Sequence, residues 1–376
     1  MQRSLISLIF ILISSFLGIS AQKLTVGSYK FKKNKAVYTG ELLNNKPHGI
    51  GITHFENGDI YEGAYVKGKR DGYGTLTLAS GEKYEGYWTL DEQNGKGTYY
   101  YLDNNKYVGL WFRNKREGEG VMYYYNGDVY VGNWQNNERS GFGVYTFANG
   151  VFYKGEWKHD KKNGNGLFDW GDGSSYQGSW KDNQRHGKGT YVYADSSVYV
   201  GNWQHDLMHG RGKMTFANGD VYTGDYVKGA RTGKGVTNFA SGNKYVGIYL
   251  NGEQHGYGEY TWDGTATYKG LWERNERSGK GIYVRTNGDE FAGEWKNNLM
   301  HGKMVIKYAD GSYFEGTFED GQKHGEAIEL TTDGLRLECV YVNGERHGDF
   351  REFDKQGTLI ATGVYKNGKR TTTSQQ

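Results

Sequence analysis

Among 376 residues there is one cysteine, Cys339, and one proline, Pro47. A lone cysteine excludes an intramolecular disulfide, and with it every disulfide-built scaffold. Hydrophobic residues make up only 36%, too few for a thick aliphatic core in a chain of this length. Beyond the first 22 residues there is no long apolar run and no segment with helical periodicity. The 46 basic and 43 acidic residues leave a formal net charge of +3, which argues against nucleic acid as the main partner.

What the chain has instead is 60 glycines, 33 tyrosines and 10 tryptophans. Apolar burial therefore falls to large rings. The N-terminus stands apart: Arg3, an apolar run from Leu5 to Ile19, then small residues. This is the pattern of a cleavable secretory signal over 1–21, with a mature chain beginning near Gln22. No cysteine lies at the cleavage point, so a lipoprotein anchor is not expected, and the implied compartment is periplasmic or extracellular.

From Tyr38 onward a tyrosine, with glycine two residues later, returns every 23 residues at Tyr61, Tyr84, Tyr107, Tyr130 and Tyr153. The series runs on through Tyr176, Tyr199, Tyr222, Tyr245 and Tyr268, then in phase as Phe291, Phe314 and Leu337. Fourteen repeats thus occupy 38–359, flanked by an N-terminal cap at 22–37 and a partial repeat and tail at 360–376. With the first residue of a repeat as position zero, position eleven is Gly in all fourteen. Position thirteen is Gly in the first eleven and then Met304, Ala327 and Phe350. Position four is mostly Trp.

Both segments of each repeat alternate large and small residues, which is strand periodicity. Five repeats carry Asn-Gly in the second turn, a hairpin signal. The expected fold is all-β: an elongated single-layer antiparallel ribbon of hairpins, with about 10 Å per repeat and on the order of 130 Å in all. Stability in such a ribbon is nearest-neighbour in character. Tyr, Gly and Trp at positions zero, two and four share one face with the glycines at eleven and thirteen, whose missing side chains leave slots for rings. The other face is expected to be mixed and mostly polar, as at Lys154, Glu156 and Lys158.

The pattern Y-x-G-x-W followed by G-x-G resembles the MORN (membrane occupation and recognition nexus) repeat over nearly all of the mature chain. From Tyr341 the sequence is more similar to the variant MORN repeat of bacterial proteins, and the last three repeats are degenerate. The resemblance implies a scaffold or interaction role and, for some members, attachment to anionic lipid. Only two short segments lie outside the repeat, so no catalytic domain is expected, and neither is a cofactor.

The sequence offers three candidate sites. HGRGK at 209–213 looks like a phosphate loop, but its glycines, Gly210 and Gly212, are positions eleven and thirteen of the eighth repeat. A phosphate loop needs a helix N-terminus, and none is expected, so the motif reads as scaffold. Seven histidines recur at position ten, spaced about 10 Å apart where zinc ligands bind at about 2 Å, which speaks against a metal stripe. The turns are more telling. Positions six to nine hold 17 Lys or Arg against 10 Asp or Glu, whereas positions eighteen to twenty-one hold 1 Lys against 12 acids. Position nine supplies Arg70, Arg116, Arg139, Lys162, Arg185, Arg231 and Arg277. Solvated turn chemistry accounts for such rims, and so would a ladder of cations facing a polyanion. The partners expected are therefore a protein or a second copy of the chain, and alternatively an anionic membrane surface.

Overall fold

The computed structural model describes residues 23–374, with side chains to 371. The segment 1–21, read above as a signal, lies outside the described residues. The described chain contains 32 strands and no helix. It forms two compact units, one ending at Gly141 and the other beginning at Phe142. Within each, the strands run as an open antiparallel meander in which each pairs with its neighbours in sequence.

Repeat seven shows how the sequence builds this. Its strands Ser175–Lys181 and Gln184–Val192 are joined by Asp182 and Asn183. Both joining residues have left-handed φ, 49° and 70°, the signature of a two-residue type I′ turn. In the second turn the Asn of each Asn-Gly pair is not left-handed; only the Gly is, as at Gly58 (φ 91°) and Gly219 (φ 90°). There the glycine N–H donates to the carbonyl three residues back, Gly58 to Phe55 at 3.0 Å. The tight hairpin turn is thus the first one, whose second residue is Asn, Asp or Gly throughout while the first takes left-handed φ even as Lys67, Leu90 or Arg113, and the Asn-Gly pairs serve a longer loop.

The two glycines of a repeat do different jobs. Gly178 lies opposite Gly189 and Trp180 opposite Arg185, so three residues bulge against one between them. Position eleven sits in this bulge with positive φ in every repeat, from Gly49 at 65° to Gly348 at 77°. An L side chain there would be strained, which accounts for glycine in all fourteen. Position thirteen is instead the ring slot: a Cβ on Gly189 would fall 2.3 Å from the Tyr176 hydroxyl and 2.5 Å from its ring. Only this second glycine answers to the slot expected for both.

The ring that fills the slot is the tyrosine of the same repeat. All eleven position-zero tyrosines are at most 1% exposed. The Tyr176 hydroxyl crosses the glycine strand and donates to the carbonyl of Ser179 at 3.0 Å. Its ring packs edge-on against Trp180 of its own repeat at 5.1 Å and Trp203 of the next at 5.4 Å. Seven of the eight position-four tryptophans in turn donate Nε1–H to the slot glycine of the repeat before, as Trp180 does to Gly166 at 3.2 Å; Trp134 is the exception, its buried Nε1–H lacking a partner. Rings of this size bury about 150–250 Å² each, so the ladder is the core. Where position zero is Phe and the hydroxyl is gone, the slot is free for Met304 and Ala327.

Both ends extend the pattern. The cap segment contains strand β1 (Thr25–Lys30), paired to β2 (Val37–Leu43), which pairs on with β3 (Lys46–His54). Gly27 faces Gly40 as the slot glycines do elsewhere. After repeat fourteen the strands Leu359–Lys366 and Lys369–Ser374 form one further hairpin. Gly363 arrives opposite Phe350 one residue later than the 23-residue phase predicts, and a bulge at Glu352/Phe353 absorbs the extra residue.

Candidate functional site

The position-nine cations do not project freely from the rim. Six of the seven lie over the aromatic residue at position four of the following repeat. Arg70 stacks on Trp88 at 4.1 Å, Arg116 on Trp134 at 4.3 Å, and Lys162 on Trp180 at 4.2 Å. Arg185 stacks on Trp203 at 4.4 Å, Arg231 on Tyr249 at 5.1 Å, and Arg277 on Trp295 at 4.5 Å. Arg139 lies 5.6 Å from the centre of Tyr130 in its own repeat. The guanidinium also donates Nη2–H to the turn carbonyl of the next repeat, as Arg185 to Asp206 at 2.9 Å and Arg277 to Asn298 at 2.8 Å. The same turn residue accepts the backbone N–H of position nine: Asp206 Oδ1 from Arg185 and Asn183 Oδ1 from Lys162, both at 2.8 Å. At Arg70, Arg116, Arg185 and Arg277 this is a clasp between repeats, combining a cation–π contact with two hydrogen bonds. Burial under the rings pushes the Lys162 amine down to about 8 and lowers Arg277 as well.

The acidic edge has a clasp of its own. Asp59 Oδ1 accepts the N–H of Ala79 in the next repeat at 2.9 Å, and Asp220 that of Ala240 at 2.8 Å. Asn105 and Ser197 do the same for Tyr125 and Ala217. The hydrogen bond is therefore what the position needs, and the charge comes with Asp.

The histidines and HGRGK fall into place beside these. His48 Nδ1 accepts the Lys67 N–H of the next turn at 3.4 Å. His186 and the turn residue His205 lie with ring centres 6.1 Å apart. Among the described residues no group of His, Cys, Asp or Glu is arranged to hold a metal. Gly210 is a bulge glycine (φ 64°), and a Cβ on Gly212 would meet the Tyr199 hydroxyl at 2.4 Å. Both belong to the ladder.

Repeats thirteen and fourteen keep the stack, Lys323 over Tyr341 at 5.0 Å, and add a half-buried ion cluster to it. Glu329 accepts from Arg346 Nη2 at 2.6 Å and Nε at 3.2 Å, and from the Tyr341 hydroxyl. Burial raises the Glu329 carboxyl, but these hydrogen bonds outweigh it and hold it below the usual range. Cys339 occupies a position-two site that is glycine in the other repeats, and burial pushes its thiol up to about 11.

The exposed features lie on the face opposite the ladder. In the unit ending at Gly141 that face is not mainly polar. Tyr73 is 56% and Tyr87 51% exposed, packed edge-to-face at 5.5 Å, with Leu110 beside them. They wall a recess of about 420 Å³ that also takes in Val108, Lys96 and Glu119. The sequence carried a signal for it: aromatics at both outward positions twelve and three, where most other repeats have polar residues. In the unit beginning at Phe142 a larger concavity of about 1170 Å³ spans repeats twelve to fourteen.

Similarity to solved structures is faint. The TCP domain of Drosophila melanogaster SAS-4, in complex with a proline-rich motif of Ana2, is 14% identical with a TM-score of 0.28, over 47% of this chain and 90% of that one. The TCP10 domain of Danio rerio CPAP, in complex with a peptide of STIL, is 10% identical with a TM-score of 0.17, over 91% and 100%. A streptogramin B lyase is 10% identical with a TM-score of 0.13, over 84% and 95%. At these scores the likeness carries no inference about this chain. No curated protein sequence matches it. The model of the MORN repeat, in contrast, matches thirteen times in succession between residues 38 and 336, on the Tyr-Gly-Trp ladder described above. The chain belongs to the MORN repeat family.

Proposed function

We propose that this chain is a non-enzymatic, exported scaffold that binds a protein partner or a second copy of itself. One observation carries the reading: the apolar recess at Tyr73, Tyr87 and Leu110 on the solvent side of the sheet. The ladder residues are buried in holding repeat to repeat, whereas these rings, packed on each other, keep half their surface exposed. Exposed apolar patches of this kind mark interaction surfaces. Pull-down from the protein's own compartment tests it. The parent is expected to retain a partner that the Tyr73→Ser/Tyr87→Ser variant, with an unchanged melting curve, loses. Equal capture by both would overturn the assignment of the surface. N-terminal sequencing tests export, with a start at or near Gln22 expected and retained Met1 refuting it.

A second reading is attachment to an anionic membrane or another polyanion. Its support comes from positions six and eight of the first turns, where Lys46, Lys67, Lys69, Arg113 and Lys115 are exposed. Each basic residue at an anionic surface contributes about 1 kcal/mol, so five on one edge are enough to matter. Co-sedimentation with acidic but not neutral vesicles, weakening with salt, is the expected result; no co-sedimentation with acidic vesicles removes this reading.

A further inference from the structure

The concavity over repeats twelve to fourteen has an apolar floor and acidic walls. Val305, Ile328 and Val340 lie along the floor. Of the lining carboxylates, Glu338 is taken by Arg336 at 2.8 Å and Arg351 at 2.6 Å. That leaves Glu326 and Asp349, and Glu315 with only the Tyr313 hydroxyl at 2.6 Å, against Lys303, all four exposed. Glu326 and Asp349 hold the same position in successive repeats, so they stand about 10 Å apart.

A surface of opposite sign exists on the same chain. The turn after β1 reads Lys30-Phe31-Lys32-Lys33-Asn34-Lys35. It reverses the charge of an edge whose later turns hold 12 acids and a single Lys. Lys30, Lys32, Lys33 and Lys35 are exposed; Lys35 has one partner, Glu56 at 3.3 Å. Phe31 sits half-buried among them, 5.1 Å from Tyr29. An exposed basic turn with an apolar ring matches a concavity with an apolar floor and exposed carboxylates.

We infer that the acidic concavity of repeats twelve to fourteen receives the Lys30–Lys35 turn of a second copy of this chain. The inference deepens the self-association arm of the proposed function and rests on it. The contact is heterologous, since each copy offers one turn and one concavity. Its strength falls with ionic strength, because exposed charges are screened beyond about 8 Å at physiological salt.

Charge reversal tests it in the full mature chain, by sedimentation velocity over a concentration series at low and high salt. The parent is expected to self-associate at low salt and to dissociate as salt rises. Glu326→Lys/Asp349→Lys and Lys32→Glu/Lys33→Glu are each expected to weaken self-association by at least about tenfold, a loss of some 1.4 kcal/mol. The two variants mixed in equal amounts are expected to re-associate, since each carries the intact half of a reversed pair. A circular dichroism melt checks that both are folded. A parent that stays monomeric at low salt, or variants that associate like the parent, would overturn the inference. Partner capture through Tyr73 and Tyr87 is read separately and stands or falls without it.

Discussion

Gly189→Ala puts a single methyl group into the ring slot of repeat seven. The new Cβ would lie 2.3 Å from the Tyr176 hydroxyl and 2.5 Å from two ring carbons. Cβ atoms do not approach other heavy atoms so closely, so the ring must move. It is held by its hydrogen bond to Ser179 and by Trp180 and Trp203 on either side. Overpacking of this kind costs about 1–3 kcal/mol, and losing the hydrogen bond adds about 1 kcal/mol. For the unit beginning at Phe142, a loss of 2–3 kcal/mol corresponds to roughly 5–10 °C in Tm. The assay is a double-mutant cycle with Tyr176→Phe, read by thermal and denaturant melts. Tyr176→Phe alone is expected to cost about 1 kcal/mol. Together with Gly189→Ala it should cost less than the sum by about 1 kcal/mol, because a ring freed of its hydroxyl can slide aside. Repeat thirteen already carries that combination as Phe314 and Ala327. Losses that add to within about 0.4 kcal/mol would refute the coupling of ring to slot.

Three further outcomes follow from the same geometry. Replacing Arg116, Arg139, Lys162 and Arg185 together with Gln is expected to lower Tm, since each loses a ring contact worth about 0.5–1 kcal/mol; an unchanged melt would return these cations to the free rim. Burial pushes Tyr199 and Tyr268 up to about 12, against an ordinary value near 10. Between those values the folded chain keeps protons that the unfolded chain loses, so stability is intact below pH 10 and falls as pH rises, by about 1.4 kcal/mol per pH unit per tyrosine. The last part of the tyrosinate absorbance should therefore appear together with loss of the strand spectrum, and ionisation of all 33 tyrosines near pH 10 in a still-folded chain would contradict the buried ladder. Cys339, buried with its thiol at about 11, should react with iodoacetamide only as the chain unfolds; rapid alkylation of the native protein would place it at the surface.

Period and residue type were enough to read the repeat, the all-β class and the tyrosine face from the chain alone. A 23-residue return of the same residues permits only one local solution, repeated, and alternation in two strands fixes which residues share a side. What period could not separate was the glycines at eleven and thirteen, since both lack a side chain for different reasons. One is a matter of φ and the other of a ring arriving from across the hairpin, and only the register of Gly178 with Gly189 distinguishes them. The same holds for Arg185 and its equivalents. Sequence places a cation in a turn, but whether its head reaches solvent or folds back over Trp203 depends on the neighbouring repeat. The pairing inferred between Lys32 and Lys33 of one copy and Glu326 and Asp349 of another is beyond any periodic argument, because it joins one-off departures from the repeat that are far apart in the chain. Local pattern determines the hairpin; the contacts between hairpins decide which of its side chains are spent on the fold and which remain for a partner.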